Sequence, residues 1–444
     1  MICFQELHND STSIRLTGQY RAARGRSIRC RRAPWITYGY SKDHRPDLKQ
    51  LLFILTTTND GGIPVHFRCS DGNTSDTETH IETWNSLRKI AGRSDFLYVA
   101  DSKLCTLENM DYIDDNKGRF VTVLPRSRKE DAQFRQWIQT HSPAWELVWD
   151  RPNPHRKHGP RDRWWVVRYP IPSRESWPIL WVFSSLLRLR QDQTRQERLA
   201  AATESLEDLK RRLASPKSRL RKVSEVDKRT QGILERFSVT QYLKIKRLAY
   251  EEVRYRQEDR GRPGPKTTYR RRIRRRWDIQ WELDEPAIAY DRKSDGMYPL
   301  LTNDRKLTSP QVLQAHKGQP TIEKRFQQCK TVHQIAPVLL KNEARIEALF
   351  FLYFLALVVQ ALIERQLRQA MKHNKLDELP IYPEERSCKQ PTTEQILRLF
   401  SGIQGHLLFQ RERLLQTFGV EFTPLQKQVL HLLCISVSAY VVQK

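Results

Sequence analysis

A chain of 444 residues carrying 77 Lys and Arg against 51 Asp and Glu has a formal net charge of +26. That excess points to a polyanionic partner, above all nucleic acid, and a hydrophobic content of 39% leaves room for two or three packed domains. The seven Cys form no C-x-x-C pair, so neither a zinc site nor a disulfide framework is signalled, and Met1 to Asp10 lacks the layout of a secretory leader. A basic membrane-surface protein competes with the nucleic-acid reading, but no amphipathic basic helix supports it. A cytoplasmic, nucleoid-associated protein is expected.

Residues 9–16 alternate and carry β-formers, which predicts a strand with Asp10 near its start. Trp35 to Tyr40 reads as a second strand. Leu51 to Thr58 and Ile63 to Cys69 read as hairpin arms around the turn signal Asn59-Asp60-Gly61-Gly62. The loop Ser41-Lys42-Asp43-His44-Arg45-Pro46-Asp47 is dense in charge. It reads either as a solvated connection or as a loop near an active site, where Lys42 and Arg45 meet DNA or steady acids.

Thr74 to Ile90 predicts a helix closed by Ala91-Gly92. Phe96-Leu97-Tyr98-Val99-Ala100 is a short apolar run, the mark of a strand buried on both faces, and Asp101 ends it. An acid at a strand's carboxyl end suits a divalent metal, since hard cations take oxygen ligands, and it equally suits a helix cap. Leu107 to Ile113 predicts a short helix and Arg119 to Leu124 a strand. The order β-β-β-α-β-α-β is the layout of an RNase H-like mixed sheet, in which the first and fourth strands are neighbours. Asp10 and Asp101 then meet at one edge, with Asp43 and Asp47 as competitors of Asp10.

From residue 126 to 294 the character changes. Trp164 to Val167 and Ile179 to Phe183 read as strands, and Arg188 to Leu213 as a charged helix with one apolar stripe at Leu199, Ala202, Leu206, Leu209 and Leu213. Behind Gly261-Arg262-Pro263-Gly264-Pro265 stand Arg270, Arg271, Arg272, Arg274, Arg275 and Arg276 between Tyr269 and Trp277. Arginine forks hold phosphate and the two rings suit stacking on bases; a solvated basic face is the alternative. Gly296 to Thr302 predicts a strand and Thr308-Ser309-Pro310 a helix start. His316, Gln319, Glu323 and Lys330 follow at steps of three, four and seven, the spacing of one helical face. Ala348 to Ile363 is almost wholly apolar, too short for a span, and is expected to be a helix enclosed by protein. Residues 340–444 are helical in pattern.

The chain resembles the bacterial insertion-sequence transposases of the DDE class, on the branch marked by a Y-x2-R-x3-E-x6-K signature. The likeness runs through Asn9 to Ser13, Gly39-x-Ser41-Lys42-Asp43-His44-Arg45-Pro46-Asp47-Leu48, Val99 to Ser102, Asp295-Gly296 to Asp304, and Ile322-Glu323-Lys324-Arg325-Phe326. His316 and Gln319 stand where the signature has Tyr and Arg, while Glu323 and Lys330 match it. The resemblance implies a catalytic and metal-binding triad of Asp10, Asp101 and Glu323 with two Mg²⁺ or Mn²⁺ ions. It also implies contacts of Lys330, Lys324, Arg325, Gln319 and His316 with double-stranded DNA, both element ends and target, and a homodimer in the DNA complex.

The expected architecture is α/β. An RNase H-like core over 1–125 and 295–373 is interrupted by a basic α+β insertion domain over 126–294 and followed by a helical part over 374–444. The expected function is DNA cleavage and strand transfer. A nuclease of the same fold and a non-catalytic DNA-binding remnant are the alternatives. Family chains carry a domain ahead of the first catalytic strand, so a truncated copy, or one whose start lies upstream, is expected.

Overall fold

The strand Glu6–Leu16 runs through the middle of the N-terminal sheet. It pairs antiparallel with Lys49–Thr58 on one side and parallel with Leu97–Val99 on the other. The computed structural model describes residues 2–440 apart from 22, 23, 26, 29, 43, 154, 155, 157 and 259. Asp43, a competitor for the metal site, lies outside the described residues. Two compact units divide the chain. One is Met1–Pro125 with Ile171–Ile179 and Leu300–Lys444; the other is Arg126–Pro170 with Leu180–Pro299.

In the first unit the hairpin Lys49–Thr58 and Pro64–Ser70 forms one side of the sheet. Leu51 to Leu55 are all buried, as a strand covered on both faces requires. Gly61 and Gly62 take φ of +82° and +61° in the connecting turn, a conformation open to glycine. On the other side Leu97–Val99 pairs parallel with Arg119–Val123, reached through the helix Leu107–Asp115. Leu300, Leu301 and Thr302 then add antiparallel to Val123, Thr122 and Val121. This mixed α/β sheet is consistent with an RNase H-like fold. The helix His80–Ala91 ends on Gly92 in the left-handed region, φ 67°. The stretch Trp35–Tyr40, expected as a strand, makes only isolated bridges at Trp35 and Thr37. The third antiparallel strand is Pro64–Ser70.

The expected single helical face from His316 to Lys330 is also corrected. Pro320 has no N–H to donate to His316, so the helix Ser309–Gly318 stops and a second, Pro320–Gln327, begins. A π-helical turn follows at Gln328–Val332. Ile322 and Phe326 sink into a core with Ile14, Leu16, Phe53, Ile346, Phe350 and Leu357.

That core takes one side of the long helix Glu343–His373. Phe350 stands edge-on to Phe53 at 5.7 Å, and Phe354 lies 4.9 Å from Phe67. The other side is not enclosed: Phe351, Leu352, Leu355, Val359 and Leu362 are exposed. By length and composition alone this helix would suffice to cross a membrane. The expectation of protein on every side therefore fails, because the helix lies on one sheet face and meets that face with one stripe.

The second unit has an antiparallel set of Glu146–Arg151, Asp162–Arg168 and residues 180–184. The helix Ser185–Ala214 follows, capped by the Ser184 side chain at the Leu187 N–H. The predicted stripe holds: Ala202, Leu206, Leu209 and Leu213 are buried with Val226 and Leu234 of the helix Val223–Arg236. Arg195 and Asp295, both buried, pair at 2.6 Å.

One-sided packing of the long helix makes a sharp contrast between neighbours. Phe350, 0% exposed, should lose about 3–5 kcal/mol on truncation to Ala. Phe351, 46% exposed, should lose about 1 kcal/mol or less on change to Ser. Urea unfolding of the two variants measures this, and equal losses would contradict the packing.

Candidate active site

Asp10 and Asp101 occupy the edge that the strand order creates. The parallel register sets His8 beside Val99. Two residues further along each chain stand Asp10 and Asp101. The Ser11 N–H donates to Asp10 Oδ1 at 2.7 Å and the Lys103 N–H to Asp101 Oδ1 at 2.9 Å. Thr122 Oγ1 donates to the Asp101 carbonyl at 2.6 Å, fixing the strand end. Burial pushes the Asp10 carboxyl up to about 6; Lys42 opposes this, and the charges of Asp101 and Asp76 add to it. Burial also raises Asp101 above the usual carboxylate range. Two desolvated carboxylates facing one edge repel each other and favour a shared cation or proton.

A cationic side chain stands beside them. Lys42 Nζ donates to the Ser11 carbonyl at 2.7 Å and to Ser11 Oγ at 2.9 Å, and pairs with Asp76 Oδ2 at 3.0 Å. Ser11 Oγ donates to Asp76 Oδ1 at 2.6 Å. The charged loop thus reaches the acids through Lys42. Arg45 is turned to Asp47, pairing at 2.7 Å on the exposed side. Asp76 is the residue that sequence reasoning missed. It opens the short 3-10 turn Asp76–Thr79, where an acid reads as ordinary helix-start chemistry.

The acid-bearing helix approaches the same strand. Gln319 Nε2 donates to the Asn9 carbonyl at 3.3 Å. A Cβ on Gly318 would come within 2.6 Å of His8 Cε1, so glycine permits this approach. Glu323 lies one turn beyond Gln319 and is exposed. It is not gathered with the aspartates: among the described residues no three His, Cys, Asp or Glu form a group able to hold a metal ion.

Several expected DNA contacts are corrected by burial. Arg325 is enclosed, pairing with Glu364 at 3.0 Å and donating to the carbonyls of Gly62 at 2.9 Å and Gly61 at 3.0 Å. Its guanidinium has no face left for phosphate. His316 is half-buried, and desolvation of its ring with the charges of Lys317 and His8 pushes its imidazole down to about 3, leaving it neutral. Gln319 is spent on Asn9. Lys324 is exposed and Lys330 is half-buried in the π turn. Arg276 is enclosed as well, held by Glu252 and the carbonyls of Ser215 and Pro216.

Residues 5–173 match the family described as the transposase DDE domain. The match covers less than half of the chain and is consistent with the DDE transposase superfamily. No curated protein matches the chain.

The raised pKa of the half-buried Asp10 has a thermodynamic consequence. Folded, it keeps its proton up to about pH 6; unfolded, only to 3.8. Between those values the folded state binds the extra proton, so stability falls as pH rises through the window and stays lower above it. Asp10→Asn should therefore stabilise the metal-free protein near neutral pH by roughly 1–3 kcal/mol, with no gain below about pH 4. Thermal unfolding across pH checks this; a less stable variant at neutral pH would show that the carboxylate is not strained by its site.

Proposed function

We propose that this chain is a DNA transposase whose RNase H-like core cuts DNA strands and joins the freed ends to a target. The observation that carries the reading is the parallel pairing of His8 with Val99, each two residues ahead of an aspartate, Asp10 and Asp101, whose carboxyls are both raised by burial. Glu323 stands one turn past the contact between Gln319 and Asn9.

The donor chemistry fits hard divalent cations, since carboxylate oxygens in a desolvated site prefer Mg²⁺ or Mn²⁺. Asp10 and Asp101 would hold the ions, with Glu323 as the third ligand. Bound there, two ions would supply Lewis-acid stabilisation of the phosphoryl oxygens and a water of lowered pKa. The protein's own part is positional. The Ser11 and Lys103 amides orient the two carboxylates, and Lys42 offsets their charge while Asp76 and Ser11 hold its ammonium. Lys330 and Lys324 lie along a phosphate strand. Residues 126–294 act as an insertion domain that adds basic surface, and two copies bring two element ends together in the cytoplasm.

Asp101→Ala and Glu323→Ala should each lower Mg²⁺-dependent cleavage of element-end duplexes by at least about 10²–10³-fold, with DNA binding kept. A variant cutting at the unmodified rate removes its residue from the site. The second reading, a DNA-binding remnant, rests on Glu323 standing apart from the aspartates. It predicts no cleavage by the unaltered chain either. Cleavage without strand transfer would make the protein a nuclease.

A further inference from the structure

The strands Leu243–Gln257 and Tyr269–Leu283 form an antiparallel sheet of their own, paired from Leu243–Leu283 out to Gln257–Tyr269. The inner end is anchored. Leu243 and Ile279 are buried, and Ile245, Trp277 and Trp281 pack with Ala202, Leu206 and Leu209. The outer half leaves that core: Val253, Tyr255, Tyr269 and Ile273 are all exposed. A bare two-stranded ribbon is marginal in water, so this half needs something more than its own ladder.

Alternation and register sort its side chains into two faces. On one face Arg254 is opposite Arg272, Arg256 opposite Arg270, and Arg274 opposite Glu252. On the other, Val253 is opposite Ile273 and Tyr255 opposite Arg271. Like charges directly across a ladder destabilise it. The acid on the arginine face, Glu252, is already engaged by Arg254 at 2.6 Å and by Arg276 at 2.8 Å. Among the described residues Arg256, Arg270, Arg272 and Arg274 have no ion-pair partner. Arg275 lies 4.9 Å over the Trp277 ring on the opposite face, and Arg276 is enclosed. The arginine cluster of the sequence is thus split, and two arginines outside it, Arg254 and Arg256, join its row, in which Arg254 and Arg274 are half-buried and Arg256, Arg270 and Arg272 exposed.

We propose that this ribbon is a DNA-reading arm whose face of Arg254, Arg256, Arg270, Arg272 and Arg274 lies in the major groove of duplex DNA. The identity of the polyanion as DNA rests on the transposase reading above; the groove and the face rest on the ribbon. Its strands are about 4.8 Å apart, so with side chains the ribbon fits a major groove about 12 Å wide and not a minor groove about 6 Å wide. Arginine forks match guanine O6 and N7 as well as phosphate. In A-form RNA the corresponding groove is too deep and narrow for side chains, which disfavours duplex RNA. Docking a polyanion there removes the repulsion between facing arginines and orders the unsupported half.

The test is anisotropy of the full chain with a mixed-sequence DNA duplex, the same duplex carrying N7-methylguanine, and a matching RNA duplex, over a salt series. Changing Arg254, Arg256, Arg270, Arg272 and Arg274 together to Gln should weaken DNA binding at least roughly tenfold at low salt. It should also lower the log–log salt slope by about 0.9 for each phosphate that is no longer neutralised. Methylation in the groove should weaken the unaltered protein and leave the five-fold variant unmoved. Val253→Thr with Ile273→Thr, on the opposite face, should bind like the unaltered protein and shows that the ribbon persists. The proposal is overturned by an unchanged slope in the five-fold variant, by indifference of the unaltered protein to methylation, by equal or better binding of the RNA duplex, or by an equal loss in the Val253/Ile273 variant. Cleavage is not read in this assay. A chain that binds in this way and never cuts contradicts the proposed function alone, and one that cuts DNA while the five-fold variant binds normally contradicts the arm alone.

Discussion

Arg325 is the constraint on which the placement of the helix Pro320–Gln327 depends. Its fork reaches the Gly61 and Gly62 carbonyls in the hairpin turn and the Glu364 carboxylate in the long helix. Three segments far apart in sequence are thereby fixed to one buried side chain. Burial lowers the pKa of the Arg325 guanidinium and Glu364 opposes that shift, so the charge survives because it is paired. Such a pair adds little over a well-packed apolar substitute, yet removing one partner leaves an uncompensated charge in the core. What it adds here is position. Lysine would offer one ammonium where the site uses a planar fork with several donors. Gln328 extends the arrangement, accepting from Arg325 at 2.8 Å and donating to Glu364 at 3.2 Å.

From that clamp the rest of the site follows in sequence. The helix Pro320–Gln327 is pinned at Arg325 and sinks Ile322 and Phe326 into the core beneath the sheet. Its start is then set against Asn9 by Gln319, one residue before Asp10. Glu323, between these anchors, is left exposed on the face that neither uses. Across the sheet the two aspartates bear the cost of burial, and Lys42 stands by them without occupying their oxygens. The two carboxylates are therefore desolvated and close in charge, a condition that favours a bound cation or a shared proton.

Much of the sheet was legible because local signals agreed. The Asn59 to Gly62 turn, the apolar run ending in Asp101 and the Thr308 capping box each point to the element that forms there. Where the reading failed, the deciding partner was remote. Nothing near Arg325 reveals that its acceptors are 263 and 264 residues away, so it read as one more DNA-facing cation. Pro320 was legible as a breaker and was overridden by a spacing pattern that assumed one straight helix. Arg276 and Arg270 look alike in a run of arginines, yet cross-strand pairing and the nearby Ser215 and Pro216 carbonyls give them opposite fates. Asp76 carried no signal that it would meet Ser11 and Lys42.

The proposed triad of Asp10, Asp101 and Glu323 would gather around divalent ions when DNA is bound. Substituting Fe²⁺ for Mg²⁺ and generating hydroxyl radicals with ascorbate and peroxide cuts the backbone wherever it passes close to the ion. Cuts clustered around residues 10, 101 and 323 in the DNA complex, suppressed by excess Mg²⁺, are expected. Cuts near 10 and 101 with none along Pro320–Gln327 would contradict it, and Glu323 would then lose its place as the third ligand.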